Sequence, residues 1–276
     1  MKHATLPDGT RVPALGQGTW HMGERGSDRR AEADALRLGL DLGLTLIDTA
    51  EMYADGGAEE VVRDAVAGRR QEAFIVSKVY PQNASRALMA RSCEASLRRM
   101  GVEAIDLYLL HWRGGVPLAE TVEAFSRLVE AGKIRRWGVS NLDVEDLEEL
   151  GAALPDCATD QVLYNLEARG PEYDLLPFCA DRRMPVMAYS PVGQGGRLLR
   201  HPALQGIAAR HGTGPAAIAL AFVLRREGII AIPKAGDPAH LRENAAARDI
   251  VLTADDLREL DAAFPPPRRK QALAML

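Results

Sequence analysis

Eight short β-rich runs alternate with longer helical segments along this chain of 276 residues, and this alternation limits the fold more than any other feature. Most of the runs are apolar at consecutive positions, as expected for strands of a parallel sheet that is buried on both faces. The runs lie at 14–19, 44–48, 73–78, 105–111, 134–140, 159–164, 185–190 and 229–234. Eight strand–helix units without a break in composition predict an α/β fold, a (β/α)8 TIM barrel, with a single domain over residues 1–276.

Helical segments are predicted between these runs. They lie at 29–41, 58–67, 85–100, 118–131, 144–150, 173–181, 215–226 and 238–247. Asp143 directly precedes one of them and suits an N-cap. Two additions are expected outside the regular alternation. Residues 1–13 contain the turn signal Asp8-Gly9 and predict an N-terminal β-hairpin that caps the bottom of the barrel, and residues 254–263 predict an extra C-terminal helix.

Composition and charge exclude several classes of protein. Basic and acidic residues number 34 and 38, a net charge of −4 that is spread along the chain, so nucleic-acid binding is not expected. No run approaches about 18 apolar residues and the N-terminus has no apolar signal segment, so we expect a soluble, cytoplasmic protein without a membrane partner. The cysteines Cys93, Cys157 and Cys179 have no CxxC spacing and the histidines are scattered, so we expect buried free thiols and no metal site.

Four polar residues stand at the ends of predicted strands. Asp48 closes one strand, Tyr53 follows in the same loop, Lys78 closes the next strand, and His111 closes the one after. Functional groups of such barrels gather at the C-terminal ends of the strands. Each residue alone could be a helix cap, a rim side chain or a surface charge. Together, a carboxylate, a phenol, an ammonium and an imidazole suit the reduction of a carbonyl group, which needs a proton donor.

Tyr53 is the candidate proton donor, and its free phenol would titrate near pH 10. An ammonium at about 4 Å supplies roughly 4 kcal/mol at an intermediate dielectric, whereas lowering the phenol pKa by two units takes about 2.7 kcal/mol. We therefore expect Lys78 to lower the pKa of Tyr53 and Asp48 to keep Lys78 charged. A neutral His111 is expected to donate a hydrogen bond that orients the substrate carbonyl.

The motifs around these residues resemble the aldo/keto reductases over nearly the whole chain. The matching stretches are LIDTAEMY at 46–53, VSK at 76–78, LLHW at 109–112, GVSN at 138–141 and IPK at 232–234. The phrases TAEMYADGGAE and KIRRWGVSNL are similar to the bacterial branch that reduces methylglyoxal and related small aldehydes. The resemblance implies that Asp48, Tyr53, Lys78 and His111 form the catalytic tetrad, with direct hydride transfer from a bound nicotinamide and Tyr53 as the general acid.

The cofactor site is implied by the resemblance and not by a local fingerprint. Neither Gly16-x-Gly18 nor the glycine cluster at 193–196 has the strand–turn–helix context of GxGxxG. The resemblance implies NADPH extended across the barrel mouth, in contact with Gly18, Thr19, Trp20, Asp48, Ser140, Asn141, Gln161, Tyr189, Ser190, Pro191, Val192, Gln194, Lys234, Ala235, His240, Glu243 and Asn244. In this arrangement Tyr189 stacks on the nicotinamide, and the loop that begins at Ser190 closes over the pyrophosphate.

Two residues depart from the family's common pattern at the adenosine end. Ala235 stands where a serine is usual, and His240 stands where an arginine usually binds the 2′-phosphate. The guanidinium of arginine is always charged and can bind a phosphate through two N–H groups, whereas histidine is mostly neutral at pH 7. Because Lys234 remains and Arg242 is nearby, NADPH is still expected, and NADH is possible.

The resemblance also implies a substrate site formed by Trp20, Tyr53, His111 and Trp112. The loop after Trp112 and the C-terminal tail are short, which favours an open site for small aldehydes and 2-oxoaldehydes. Two other functions stay open: a non-catalytic nicotinamide-binding redox sensor, and a Schiff-base lyase with Lys78 as the nucleophile. We expect a monomer whose partner is a small-molecule carbonyl substrate.

Overall fold

The computed structural model describes residues 2–276, in which eight parallel strands form a barrel. An antiparallel pair, β1 (His3–Thr5) and β2 (Arg11–Pro13), precedes them. The barrel strands, each paired with the next in chain order, are β3 (Gln17–Gly18), β4 (Leu46–Asp48), β5 (Phe74–Val79), β6 (Leu107–Leu110), β7 (Trp137–Ser140), β8 (Asp160–Leu163), β9 (Val186–Tyr189) and β10 (Ile229–Ala231).

Main-chain hydrogen bonds between the first and last strand regions close the barrel. The N–H of Gly16 donates to the carbonyl oxygen of Ala231 at 2.9 Å, and the N–H of Ala231 donates to that of Ala14 at 2.8 Å. The seam is tight, because a Cβ at Gly18 would lie 2.8 Å from the carbonyl oxygen of Ile232. The prediction of a (β/α)8 barrel is confirmed.

Helices follow the strands and cover the outside of the barrel. They are α1 (Arg29–Asp41), α2 (Gly57–Val66), α3 (Met89–Met100), α4 (Leu118–Glu130), α5 (Val144–Glu149), α6 (Leu175–Asp181), α7 (Pro202–Arg210), α8 (Pro215–Val223), α9 (Pro238–Ala246) and α10 (Ala254–Ala263). Asp143 caps α5 as predicted, and α10 is the expected extra helix. Within residues 2–276, no helix is both long enough and apolar enough to cross a membrane.

Two helix predictions need correction. The helix predicted over 85–100 begins only at Met89, because the carbonyl oxygen of Ser85 closes a separate turn with the N–H groups of Leu88 and Met89. Helix α7 was not predicted. It is short and begins at Pro202, which suits a first helical position. Gly206 in its middle lowers the helix propensity, so the sequence signal for this helix is weak.

The N-terminal hairpin closes one end of the barrel interior, as predicted. Its apolar side chains Leu6 and Val12 are buried and pack in one cluster with inward-facing strand residues such as Leu46, Val76 and Leu107. The alternate strand residues face outward and pack against the helices. The packed hairpin leaves the opposite end, where the strands terminate, as the open mouth.

Asp160 is a completely buried carboxyl group on the outer side of β8. Among the described residues, neither of its side-chain oxygens has a hydrogen-bond partner. Burial raises the pKa of Asp160 well above its ordinary value, and the nearby main-chain N–H of Leu142 offsets this only in part. Its surroundings include Cys157 and Cys179, which are buried free thiols, as is Cys93.

The variant Asp160→Asn should therefore be more stable than the wild type at neutral pH. A carboxyl whose pKa is raised by folding destabilises the folded state as the pH rises above its unfolded pKa of about 3.9. We expect a rise in Tm of a few degrees at pH 7, on the order of 1 kcal/mol, that shrinks toward pH 4. Thermal denaturation between pH 4 and pH 8 measures it, with Asp156→Asn as an exposed control. A gain that is the same at every pH would contradict this explanation.

Candidate active site

The ammonium group of Lys78 is the centre of a buried polar cluster at the ends of β4 and β5. Its Nζ donates to Oδ2 of Asp48 at 2.8 Å, to the carbonyl oxygen of Thr49 at 2.9 Å and to the hydroxyl of Tyr53 at 3.0 Å. These three acceptors use all three ammonium protons. Because Lys78 is 0% exposed and Asp48 is 2% exposed, the ion pair is shielded from solvent.

Asp48 also links this cluster to the far side of the barrel. Its Oδ1 accepts a hydrogen bond from Nε2 of Gln161 on β8 at 2.7 Å. Its carbonyl oxygen accepts bonds from the N–H and the hydroxyl of Thr19, both at 3.0 Å. The carboxylate is therefore fixed through both oxygens, and with it the position of Lys78.

The pKa values of the three clustered groups follow from burial and from the ion pair. Burial opposes the charge of Lys78, but Asp48 and Tyr53 outweigh it and raise the lysine pKa. Burial raises the pKa of Asp48, and Lys78 opposes this effect. Burial likewise raises the pKa of Tyr53, and the charge of Lys78 offsets it only in part. The expectation of a lowered phenol pKa was wrong, because it counted the nearby ammonium without the loss of solvent around the phenol.

His111 is a neutral imidazole beside Tyr53. Burial, with the charge of Lys78 adding to it, lowers the pKa of His111 to about 2. Its ring centroid lies 5.8 Å from that of Tyr53 in an edge-on arrangement, and 4.9 Å from that of Trp112. Nδ1 is buried and has no hydrogen-bond partner within residues 2–276, so Nε2 is the ring nitrogen that is left to contact a substrate.

Strained backbone conformations are concentrated at this mouth. Seven non-glycine residues in the described chain have positive φ angles, and six of them lie in loops that follow a barrel strand. These six are His21, Ala54, Asp55, Asn141, Ser190 and Gln194. Ala54 and Asp55 directly follow Tyr53 and turn the chain into α2. Such conformations persist where the surrounding structure imposes them, and they cluster at functional sites.

The predicted nicotinamide contacts lie next to the cluster. The hydroxyl of Tyr189 donates to Oδ1 of Asn141 at 3.0 Å, and Nδ2 of Asn141 donates to the carbonyl oxygen of His111 at 3.2 Å. The hydroxyl of Ser140 donates to the carbonyl oxygen of Gln161 at 2.7 Å. Burial raises the pKa of Tyr189 to about 12, so its phenol is neutral. The side chains of three strands therefore form one connected polar surface.

The loop between β9 and α7 carries the predicted pyrophosphate contacts. At its start, the carbonyl oxygen of Ser190 accepts a hydrogen bond from Nδ2 of Asn165 at 2.9 Å. Pro191 is buried, Val192 packs against the core and Gln194 is exposed. The loop is therefore anchored at Ser190 and open to solvent around Gln194.

The predicted adenosine contacts lie on the segment that follows β10 and on α9. Lys234 and His240 are exposed, whereas Ala235 and Asn244 are buried. Oε1 of Glu243 is buried without a hydrogen-bond partner among the described residues. Its other carboxylate oxygen, Oε2, is not fully buried and also has no partner among the described residues, so an amino group such as that of adenine can donate to it. The residues present therefore fit a dinucleotide.

Aromatic side chains border the mouth near His111. Trp20 is 38% exposed and packs against His21, with 4.2 Å between ring centroids and the ring planes tilted by 34°. Trp112 meets Tyr80 edge-on at 5.9 Å. Tyr80 was not predicted as a site residue, although it lies only two residues after Lys78 and thus also at a strand end.

The C-terminal tail lies along the rim of the mouth. Lys270 forms ion pairs with Asp143 and Asp174, in the loops after β7 and β8. Leu273 packs against the core, and the main-chain N–H of Leu276 lies beside the hydroxyl of Tyr189. The tail thus adds a wall beside the site, which was not predicted from the sequence.

Comparison with known proteins agrees with this geometry. The family model described as "Aldo/keto reductase family" matches residues 14–264. Methylglyoxal reductase YeaE of Escherichia coli K12 is 53% identical over 96% of this chain and 95% of its own length. A crystal structure of an aldo/keto reductase from Klebsiella pneumoniae in complex with NADP and acetate is 53% identical, with a TM-score of 0.97 over 100% of this chain and 99% of that one. A second Klebsiella pneumoniae structure, in complex with NADPH, gives the same identity and TM-score over 100% of both chains.

The fold and the cluster at its mouth define a barrel oxidoreductase. The chain belongs to the aldo/keto reductase family, as the sequence motifs indicated.

Proposed function

We propose that this enzyme reduces small aldehydes and 2-oxoaldehydes such as methylglyoxal to alcohols, with NADPH as the reductant. The 3.0 Å contact between Nζ of Lys78 and the hydroxyl of Tyr53 is the observation that carries the proposal. It places a charged group where a phenolate would form. The names of the Escherichia coli relative and of the Klebsiella pneumoniae complexes support the choice of substrate and cofactor.

Tyr53 is the proton donor in the proposed reaction. When bound along the mouth, NADPH would supply the hydride that the carbonyl carbon receives. Because the pKa of Tyr53 is raised, the phenol holds its proton at neutral pH and can deliver it to the carbonyl oxygen. The phenolate that remains is stabilised by Lys78, whose Nζ also lies 4.7 Å from the centroid of the tyrosine ring. Asp48 keeps Lys78 protonated, and neutral His111 orients the carbonyl oxygen through Nε2.

The cofactor would be held along the mouth by the residues that the sequence resemblance implied. We propose that Tyr189 stacks on the nicotinamide and that Asn141 and Gln161 bind its carboxamide. The loop from Ser190 to Gln194 would contact the pyrophosphate, because its glycines let main-chain N–H groups approach phosphate oxygens. Lys234 and Glu243 would bind the adenosine end. Gly18, Thr19 and Trp20 would border the cofactor near β3, and Pro191, Val192, Ala235, His240 and Asn244 would complete the contacts.

The lyase alternative has no support in the geometry. A Schiff base needs a neutral amine, but Lys78 donates three hydrogen bonds and its pKa is raised. A redox sensor would need only the dinucleotide contacts. The buried Lys78–Tyr53 pair has no role in such a sensor, so its presence favours the enzyme. We propose that the enzyme works as a monomer with one catalytic domain over residues 1–276, because Asp48, Tyr53, Lys78 and His111 contact one another within a single barrel.

Turnover of methylglyoxal tests the proposed function directly. The purified protein is mixed with NADPH and methylglyoxal, and the loss of absorbance at the nicotinamide band is followed. We expect saturable oxidation of NADPH that depends on the aldehyde. Saturable quenching of tryptophan fluorescence by NADPH without any aldehyde-dependent oxidation would favour the sensor.

His240 is expected to limit the preference for NADPH over NADH. Its side chain is exposed, as is that of Lys234, and it lacks the planar, always-charged guanidinium that arginine would offer to a 2′-phosphate. The variant His240→Arg should therefore bind NADPH about tenfold more tightly, which is about 1.4 kcal/mol, and bind NADH as before. Fluorescence titration with both cofactors measures this. Equal gains for the two cofactors would show that residue 240 does not contact the 2′-phosphate.

A further inference from the structure

Glu51 lies between Asp48 and Tyr53 in the loop after β4, and its carboxylate holds the neighbouring loop. Oε1 accepts hydrogen bonds from the main-chain N–H of Tyr80 at 2.7 Å and from Nδ2 of Asn83 at 3.2 Å. Oε2 accepts a hydrogen bond from the hydroxyl of Ser92 on α3. Three donors from one neighbouring segment therefore converge on this partly buried side chain.

The segment that Glu51 holds carries part of the aromatic border of the mouth. Tyr80 follows β5 two residues after Lys78, and its ring meets Trp112 edge-on at 5.9 Å. Trp112 in turn lies 4.9 Å from His111 between ring centroids. We call Tyr80 and Trp112 the aromatic wall. Its position relative to Tyr53 depends on how the loop after β5 is tied to the loop after β4.

We propose that Glu51 is a positioning residue that fixes the aromatic wall relative to Tyr53 and thereby determines the KM for the carbonyl substrate. The inference rests on the proposed reductase function and assigns a role to a residue outside the tetrad. Glu51 acts through main-chain and side-chain donors of the loop after β5 and does not touch the reacting atoms.

We expect the effect on KM because the wall borders the mouth beside His111 and would contact the parts of the substrate that do not react. Such contacts are equally strong in the ground state and the transition state, and their loss raises KM with little change in kcat. The tetrad itself stays in place without the Glu51 side chain, because Lys78 is held by Asp48, Thr49 and Tyr53.

The test compares two substitutions at Glu51 with a matched control. For Glu51→Ala we expect the KM for methylglyoxal to rise about tenfold, with a much smaller fall in kcat and unchanged affinity for NADPH. Glu51→Gln keeps an oxygen that accepts the hydrogen bond from the N–H of Tyr80, so its KM should be close to that of the wild type. The control is Glu120→Ala, which also removes a carboxylate that accepts a main-chain N–H beyond β5, from Arg86 at 3.1 Å, six residues after Tyr80. Its KM should equal that of the wild type.

Hydrogen exchange separates failure of this inference from failure of the proposed function. The amide of Tyr80 should exchange faster in Glu51→Ala and keep its protection in Glu51→Gln. Unchanged exchange, or an unchanged KM in Glu51→Ala, would overturn the inference. If the wild type itself did not oxidise NADPH with any aldehyde, the proposed function would fail, while the exchange at Tyr80 would still decide whether Glu51 holds the wall.

Discussion

Replacement of Tyr53 by phenylalanine should lower kcat/KM for methylglyoxal reduction by about 10³-fold. The phenol is the buried hydroxyl that contacts Lys78, and its raised pKa keeps the proton in place until a carbonyl oxygen takes it. Phenylalanine retains the ring and its edge-on contact with His111, so the loss is confined to the proton donor. The measurement is steady-state oxidation of NADPH at several aldehyde concentrations.

The control for this variant is Tyr173→Phe, because Tyr173 is 48% exposed and is not one of the proposed site residues. It should retain full activity. Affinity for NADPH should stay within about twofold in Tyr53→Phe, because the lost hydroxyl acts in the proton transfer and is not proposed to bind the cofactor. Turnover by Tyr53→Phe at near the wild-type rate would rule out Tyr53 as the proton donor.

Replacement of Lys78 by methionine should abolish measurable turnover and also destabilise the fold. Methionine has a similar length but leaves the buried carboxylate of Asp48 with Gln161 as its remaining side-chain partner. Removal of one member of a buried ion pair costs about 3–5 kcal/mol. Without the ammonium, burial raises the pKa of Asp48 unopposed by a positive charge. The loss of stability should therefore be larger at pH 8 than at pH 5, where protonation of Asp48 relieves it.

A double variant separates the stability effect from the catalytic one. Asp48→Asn combined with Lys78→Met removes both charges, so most of the unfolding free energy should return while turnover stays absent. Denaturant titration at pH 5 and pH 8 gives the free energies of unfolding, and the NADPH assay gives the turnover. A double variant no more stable than Lys78→Met would show that the buried charge is not the cause of the instability.

The barrel could be predicted from the sequence because each strand is a short apolar run followed by helical periodicity. The hairpin signal Asp8-Gly9 and the N-cap at Asp143 depend only on residues that are neighbours in the chain, so both could be predicted from the sequence alone. Helix α7 was missed because a short helix with Gly206 inside it has little periodicity, and its stability comes from tertiary packing.

The candidate site could be predicted in part, for a similar reason. Asp48, Lys78 and His111 end their strands, so the rule that barrels gather functional groups there was enough to place them together. The pKa of Tyr53 could not be predicted, because desolvation depends on every atom packed around the phenol and not on one neighbouring charge. The contacts of Glu51 were also missed, since its three donors come from residues 29 to 41 positions away along the chain.

Direct hydride transfer from the nicotinamide to the carbonyl carbon is tested by following a deuterium label from the cofactor to the product. NADPH that carries deuterium at the transferring position of its nicotinamide C4 is oxidised by the enzyme with methylglyoxal in ordinary water, and the alcohol is analysed by mass spectrometry and NMR. We expect one deuterium on the carbinol carbon, with the hydroxyl proton from Tyr53 exchanging with water. A product whose carbinol carbon carries only protium from the solvent would contradict direct hydride transfer at this site.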